Sequence, residues 1–298
     1  MSDPVLVLPG DASMADWLAA RRNGVGASEV AAVCGLSPYE GPLRVWLSKV
    51  AGLDIEDNAA LKWGRRFEDD VLEEYVDNHP EVKVKPKPGL FAAAGAPWRL
   101  CTPDAVGQDD DGRLLCEVKT GMSYGDAETW GEPGTDEIPV QYLCQVTTAC
   151  DILGLTRWVV PVLLLDQRDY REYRGEFAPE LADHLRRRVD TFWHTNVVGC
   201  VEPTADGLPD TTDLLAARAV RDETRVDLPA EAREWLLGYR INHEALAERE
   251  QAKRQWGNLL RQYLIERDAS VGYLGDEKVV TFRKGAKGAA LRVKGVTW

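Results

Sequence analysis

Arg113-Leu114-Leu115-Cys116-Glu117-Val118-Lys119, with Thr102-Pro103-Asp104 a short way upstream, decides how this chain is read. Side chains alternate faces along a strand. Leu114, Cys116 and Val118 therefore share one face, and Leu115, Glu117 and Lys119 the other. A carboxylate and an ammonium stand side by side on a strand whose back is apolar. The segment Gly107 to Gly112 carries three aspartates and reads as a hairpin connection. That hairpin brings Asp104, at the end of the preceding strand, beside Glu117. Two close carboxylates repel unless something positive lies between them. A hard divalent cation held by oxygens meets that need, which leaves Lys119 to orient and polarise a water molecule.

Working outward, the segment 59–78 reads as a helix that stops at Pro80. Leu61, Gly64, Val71, Leu72 and Tyr75 fall on one stripe of it at helical spacing, with Glu68 at the centre. A carboxylate in the middle of a buried face needs a partner, and a metal site supplies one. On the C-terminal side a Gly/Pro-rich loop (121–138) leads into a helix from Pro139 to about Leu153. Gln141 and Gln145 share a face of it and are placed to hydrogen-bond to the same site. Taken singly these signals are weak: E-x-K is commonly a surface salt pair, and Pro-Asp is commonly a turn. Their joint occurrence in this order is what singles them out.

The remaining pattern predicts a short helix opened by Ser28 as N-cap and ending at Gly35, then a second helix through Leu43, Trp46, Leu47 and Val50. Strands are expected near 82–85, 89–93, 98–106, 113–119, 157–165 and 170–177, and a helix at 179–195. The Pro-, Asp- and Thr-rich stretch 201–228 reads as a linker. Beyond it, 229–268 has the pattern of a long helix, and 271–298 that of a hairpin. The expected fold is α/β: a core (1–200) with a central mixed sheet flanked by helices, then a C-terminal long helix and hairpin (229–298).

At 298 residues, with 44% hydrophobic and 29% charged residues and a mean hydropathy of -0.32, disorder is excluded as the dominant state. No apolar run is long enough to span a membrane, and residues 1–10 lack a signal-peptide pattern. A cytoplasmic protein without membrane association is expected. The six cysteines include no C-x-x-C pair, so reduced and mostly buried thiols are expected in place of a zinc or iron–sulfur site. Four histidines without H-E-x-x-H spacing, and no P-loop, argue against a zinc protease or a nucleotide-binding enzyme. Trp158, Trp193 and Trp235 are expected in the core. A net charge of -13 argues against a protein that wraps DNA over its whole surface. Basic clusters at Arg21/Arg22, Arg65/Arg66, Lys83/Lys85/Lys87, Arg186–Arg188 and Arg283–Lys294 leave room for a local channel.

Five stretches also carry a family resemblance. Arg21-Arg22-Asn23-Gly24-Val25-Gly26-Ala27-Ser28-Glu29-Val30, with Gly35-Leu36-Ser37-Pro38-Tyr39, resembles the opening motif of the YqaJ-like viral recombinases. These are relatives of phage lambda exonuclease within the PD-(D/E)xK nucleases. Trp63 to Glu68, Thr102-Pro103-Asp104, Glu117-Val118-Lys119-Thr120 and Gln141 to Val146 resemble the motifs that follow, in family order. The resemblance implies a Mg2+-dependent exonuclease on double-stranded DNA ends, acting 5′ to 3′, with Mn2+ as a substitute metal. It also implies a ring-shaped trimer and a single-strand annealing protein as partner. Carried over by motif position, Asp104, Glu117 and the Val118 backbone hold the metal, and Glu68 completes its shell or supports it. Lys119 positions the attacking water and Gln145 supports it. Arg22 and Ser28 contact the 5′-phosphate, with Arg65 and Gln141 beside the DNA. Ala105 and Cys144 depart from the family pattern, at places where Gly and Ala are common. Two other readings share these residues: an endonuclease of restriction or repair type, and a DNA-binding protein that keeps the fold without the chemistry.

Overall fold

Arg157-Trp-Val-Val-Pro-Val-Leu-Leu164 is apolar on both faces, as a strand covered on both sides must be, and the main sheet forms around it. The computed structural model of this chain describes residues 3–53, 59–121, 130–165, 167–220, 225–274, 276–285 and 288–293. It divides into two units, residues 1–220 and 221–298.

The first unit runs β1 (Val5–Leu8), α1 (Met14–Arg21), β2 (Val25–Gly26), a 3-10 turn (Ala27–Glu29), α2 (Val30–Val33), α3 (Pro42–Val50) and α4 (Ala59–Asn78). Then come β3 (Lys83–Pro86), β4 (Leu90–Ala93), β5 (Ala96–Cys101), β6 (Ala105–Asp109), β7 (Gly112–Cys116) and β8 (Lys119–Gly121). It finishes with α5 (Val140–Leu153), β9 (Arg157–Leu164), β10 (Asp169–Glu176), α6 (Pro179–Thr191) and α7 (Pro209–Ala217). The main sheet has the order β10-β9-β7-β6-β3, with β8 also on β9. β9 pairs parallel to β7 and β8, and the other neighbours are antiparallel. A smaller sheet has the order β1-β4-β5-β2.

The two faces of β7 meet different helices, as alternation requires. Leu114, Cys116 and Val118 pack with Val71, Leu72 and Tyr75 of α4. Leu115 packs with Val146, Ala149, Cys150 and Leu153 of α5, together with Val160, Val162 and Tyr173. The central mixed sheet flanked by helices is thus present. α5 stops at Gly154, whose φ of 66° is the left-handed conformation that glycine adopts without strain.

Several expectations are corrected. Ser28 does not cap a helix: residues 27–29 form a 3-10 turn behind Gly26, whose N–H donates to the Glu29 carboxylate at 2.7 Å. The strand expected over 98–106 is two strands in different sheets, β5 and β6, separated at Thr102-Pro103-Asp104. Helix α6 passes at Phe192 into a wider π-helical stretch reaching Val198. The stretch 201–228 contains α7, whose Leu214 packs on Leu43 and Leu47 of α3. Asp210 in its first turn accepts from Arg44 Nε at 3.1 Å. The Pro and Asp that suggested a linker are the start signals of this helix. Trp158 is buried and Trp193 packs on the core, but Trp235 is 65% exposed. Cys101, Cys116, Cys144 and Cys150 are buried free thiols, whereas Cys200 is exposed.

The second unit holds α8 (Ala232–Ile265) and a three-stranded antiparallel sheet of β11 (Val271–Leu274), β12 (Glu277–Gly285) and β13 (Gly288–Val293), where a hairpin was expected. Among the described residues no helix is long and apolar enough to cross a membrane. Most of the loop expected before α5 (122–129), the Leu61 side chain of the α4 stripe and the basic cluster's terminal Lys294 lie outside the described residues.

Candidate active site

The site forms where the sheet ladder is interrupted. β7 and β8 lie on β9 in one register (Cys116 opposite Val159, Lys119 opposite Val162), yet Glu117 and Val118 between them leave the strand. Glu117 N–H still donates to Val159 O at 3.0 Å, so the Val118 N–H and C=O point the other way, toward β6. There the Asp104 carboxylate takes the Val118 N–H at 2.8 Å. Carried two pairs past Ala105↔Cys116, the antiparallel register would set Asp104 opposite Glu117 and Pro103 opposite Val118. Proline has no N–H to give, so the ladder offers the Val118 carbonyl no donor. On the other side Pro161 likewise interrupts the donors that β9 presents to the broken stretch.

Glu117 is 2% exposed. Lys119 Nζ donates to its Oε1 at 2.7 Å, and Gln145 Nε2 of α5 donates to the same oxygen. Lys119 also lies 5.4 Å from the centre of the Tyr142 ring. Glu68 approaches from α4, on the other face of the sheet. Val71, Leu72 and Tyr75 of its stripe are buried, and Lys87 Nζ stands 4.0 Å from its Oε1. α4 passes close to β8 at Gly64, where a Cβ would sit 3.4 Å from Thr120 Oγ1.

Charge is crowded here. Burial and then the Asp104 charge push Glu117 up to about 8, against the pull of Lys119. Burial and the Asp104 charge raise Glu68 to about 7, with Lys87 opposing. Burial raises Asp104 despite Lys119 and the Val118 N–H. Burial works against the Lys119 charge, but Glu117 and Asp104 outweigh it and hold the ammonium above its ordinary range. Asp104 raises both glutamates, and Glu68 adds to the rise at Glu117, so the set is short of positive charge. Among the described residues no group of three or more His, Cys, Asp or Glu side chains is arranged to hold a metal. Mg2+ does not ask for one, since it is commonly bound by one or two carboxylates with water and substrate phosphates. Asp104, Glu117 and the Val118 carbonyl are all hard oxygen donors and fit that ion. Glu68 stands behind them.

The opening motif makes a second cluster. Arg21 Nη2 donates to Ser28 Oγ at 3.2 Å, and lies 3.2 Å from Glu29 Oε1. Lys49 Nζ lies 2.8 Å from both Glu29 oxygens and 3.1 Å from Arg21 O. Glu29 is 6% exposed, whereas Ser28 faces solvent. Ser28 and Arg22 were both expected at the 5′-phosphate; beside them, Arg21 joins the cluster through its hydrogen bond to Ser28. Lys49 was missed altogether. It meets Glu29 only because α3 packs against the opening motif, a contact between residues far apart in the sequence. Gln145 reaches Glu117, and Gln141 lies one turn earlier on α5 and is half-buried. Arg65 is exposed on α4.

A mixed sheet between two helices, with Asp104 and Glu117-x-Lys119 at its interrupted strand, is the α/β arrangement expected from the sequence. Residues 16–155 match the YqaJ-like viral recombinase domain family, which bears out the resemblance read from the motifs. Over 279 residues the chain is 26% identical to the uncharacterized protein YqaJ of Bacillus subtilis (strain 168), covering 91% of this chain and 84% of that one. The uncovered 9% of this chain is shorter than residues 221–298, so that similarity runs into the C-terminal unit. Among solved structures the chain is similar to LHK-Exo in complex with dAMP, with a TM-score of 0.51 and 20% identity over 69% of this chain and 99% of that one. A second structure, of the same alkaline exonuclease from Laribacter hongkongensis, gives a TM-score of 0.50 at 20% identity, with the same coverage of both chains.

Proposed function

We propose that this protein is a Mg2+-dependent exonuclease that hydrolyses double-stranded DNA from its ends, 5′ to 3′. One observation carries the reading: Asp104, Glu117 and Lys119 converge at a break in the ladder, where Gln145 holds the buried carboxylate. Mg2+ (or Mn2+) bound by Asp104, Glu117 and the Val118 carbonyl would supply charge stabilisation for the attacking and leaving oxygens of an in-line displacement. Lys119, anchored beside Glu117, orients the water on the side where the carboxylates end. Gln145 keeps Glu117 in one rotamer, and Glu68 biases the site toward cation uptake. Arg21 and Ser28 would take the 5′-phosphate, since a guanidinium and an exposed hydroxyl are suited to a terminal phosphate; Arg22, Arg65 and Gln141 would line the approach.

The reading extends to an annealing protein that receives the exposed 3′ strand, and to a ring-shaped trimer. The competing reading is an endonuclease with the same chemistry. Linear duplexes with 5′-phosphate or 5′-hydroxyl ends, incubated with Mg2+ or with chelator, decide between them. Shortening from 5′-phosphorylated ends that stops on chelation is expected. Rapid cutting of covalently closed circles would replace the exonuclease reading with the endonuclease one. Light scattering of the purified chain tests the trimer.

A further inference from the structure

Residues 221–298 take no part in the chemistry above, yet their charge runs against that of the rest of the chain. They hold 15 Lys and Arg against 12 Asp and Glu, a net of +3, whereas residues 1–220 hold 21 against 37, a net of -16. The excess is concentrated in the sheet. β12 and β13 pair in unbroken register from Val280↔Val293 to Gly285↔Gly288, and this ladder contains no acidic residue.

Residues opposite one another in an antiparallel pair share a face. Val280, Phe282 and Leu291 therefore lie together, and they face α8. Leu264 of α8 and Val280 are buried, a Cβ on Gly257 would lie 3.5 Å from Leu291 Cδ2, and Arg261 sits 5.9 Å over the Phe282 ring. The other face carries Thr281, Arg283, Ala290 and Arg292 and points away from the helix. Arg283 and Arg292 are exposed diagonal neighbours, rooted about 7–8 Å apart by ordinary sheet geometry. Among the described residues neither has a carboxylate within ion-pair range. Many arginines elsewhere do close on a carboxylate, among them Arg44, Arg99, Arg157 and Arg186 in the first unit and Arg240 and Arg254 on α8.

Two arginines without carboxylates, on a flat face of small neutral neighbours, are free to fork onto phosphate oxygens. We propose that the Arg283/Arg292 face of the C-terminal sheet binds the phosphodiester backbone of DNA without regard to sequence, as a contact additional to the catalytic residues. The choice of DNA as the polyanion rests on the nuclease reading. A second copy's acidic residues are the competing partner, but many of those carboxylates already hold arginines of their own.

The test compares the full-length protein with R283A/R292A and with R283K/R292K, the latter keeping charge while losing the fork. Fluorescent duplex and single-stranded DNA are titrated by anisotropy over a range of salt, in chelator so that nothing is cut. Loss of two phosphate contacts is expected to weaken binding about fivefold to tenfold and to reduce the slope of log K against log salt by about 1.8. R283K/R292K keeps the slope. Circular dichroism matching the wild type shows that both variants fold. The arm that loses affinity identifies the strand form bound. Unchanged affinity and slope in R283A/R292A, on both DNA forms, would overturn the proposal, as would a fall in oligomeric mass without change in DNA binding. A wild type that binds DNA and degrades none, with the variant still impaired, would sink the nuclease reading and leave this face standing.

Discussion

Replacing Lys49 by Met leaves the Glu29 carboxylate buried with one cation fewer, and the cost follows from the geometry around it. Lys49 Nζ lies 2.8 Å from Glu29, which at an effective dielectric of about 20 is a gross attraction of about 6 kcal/mol. Removing both charges from water costs several kcal/mol per ion, so the net contribution of the pair is far smaller. The two members feel this differently. Burial opposes the Glu29 charge, but Arg21, Lys49 and the Gly26 N–H outweigh it and hold its pKa below the ordinary value. Burial prevails at Lys49 and lowers its pKa despite Glu29. Either single replacement, Lys49→Met or Glu29→Gln, strands a charge and is expected to cost about 3–5 kcal/mol. In a unit of this size that is a fall in melting temperature of roughly 6–20 °C. The double variant strands neither and is expected to lose much less than the sum, with a coupling of about 3 kcal/mol. Scanning calorimetry of the four proteins, following the transition of residues 1–220, measures the cycle. Additive losses would show that the two side chains do not depend on one another and would refute the argument.

Glu117→Gln is expected to abolish Mg2+-dependent degradation while labelled DNA ends still bind, and Lys119→Ala is expected to stop degradation equally; a Lys119→Ala protein as active as the wild type would mean that the site is elsewhere. Because the folded pKa of Glu29 lies below its unfolded value of 4.5, its stabilisation is complete above 4.5 and is lost as pH falls through the folded value. The stability gap between wild type and Glu29→Gln should therefore narrow on acidification below 4.5, as read by chemical denaturation. Gly24→Ala places a Cβ 2.6 Å from Trp98 O and 2.8 Å from Leu100 side-chain atoms, so a loss of about 1–3 kcal/mol is expected in the same measurement.

The central cluster of side chains was legible in the sequence because alternation on a strand is short-range information. Leu114, Cys116 and Val118 had to share a face, and the hairpin had to return Asp104 to Glu117. Glu68 was legible for a similar reason, since its helix stripe is periodic. What sequence could not settle depends on partners far along the chain. Lys49 meets Glu29 through the packing of α3 against the opening motif, and no local pattern records that. Arg21 was not singled out as a site residue, because its hydrogen bond to Ser28 depends on how the end of α1 lies against the opening motif. The stretch around Asp210 reads as linker until Leu43 and Leu47 supply the surface on which its helix rests.

Pro103 and Pro161 together explain why the strand carrying Glu117 is not simply a strand. A fully paired sheet exhausts its donors and acceptors internally, and such a sheet is inert toward anything that approaches. Here an imino acid on each flank keeps the hydrogen-bond bookkeeping from closing around Glu117 and Val118. What would count as a defect in a purely structural sheet becomes a valence held open. A better-finished ladder, with Pro103 changed to a residue that has an N–H to offer, would give a tighter fold with a blunted reactive edge. On the proposed nuclease reading, stability and reactivity thus compete for the same two peptide units.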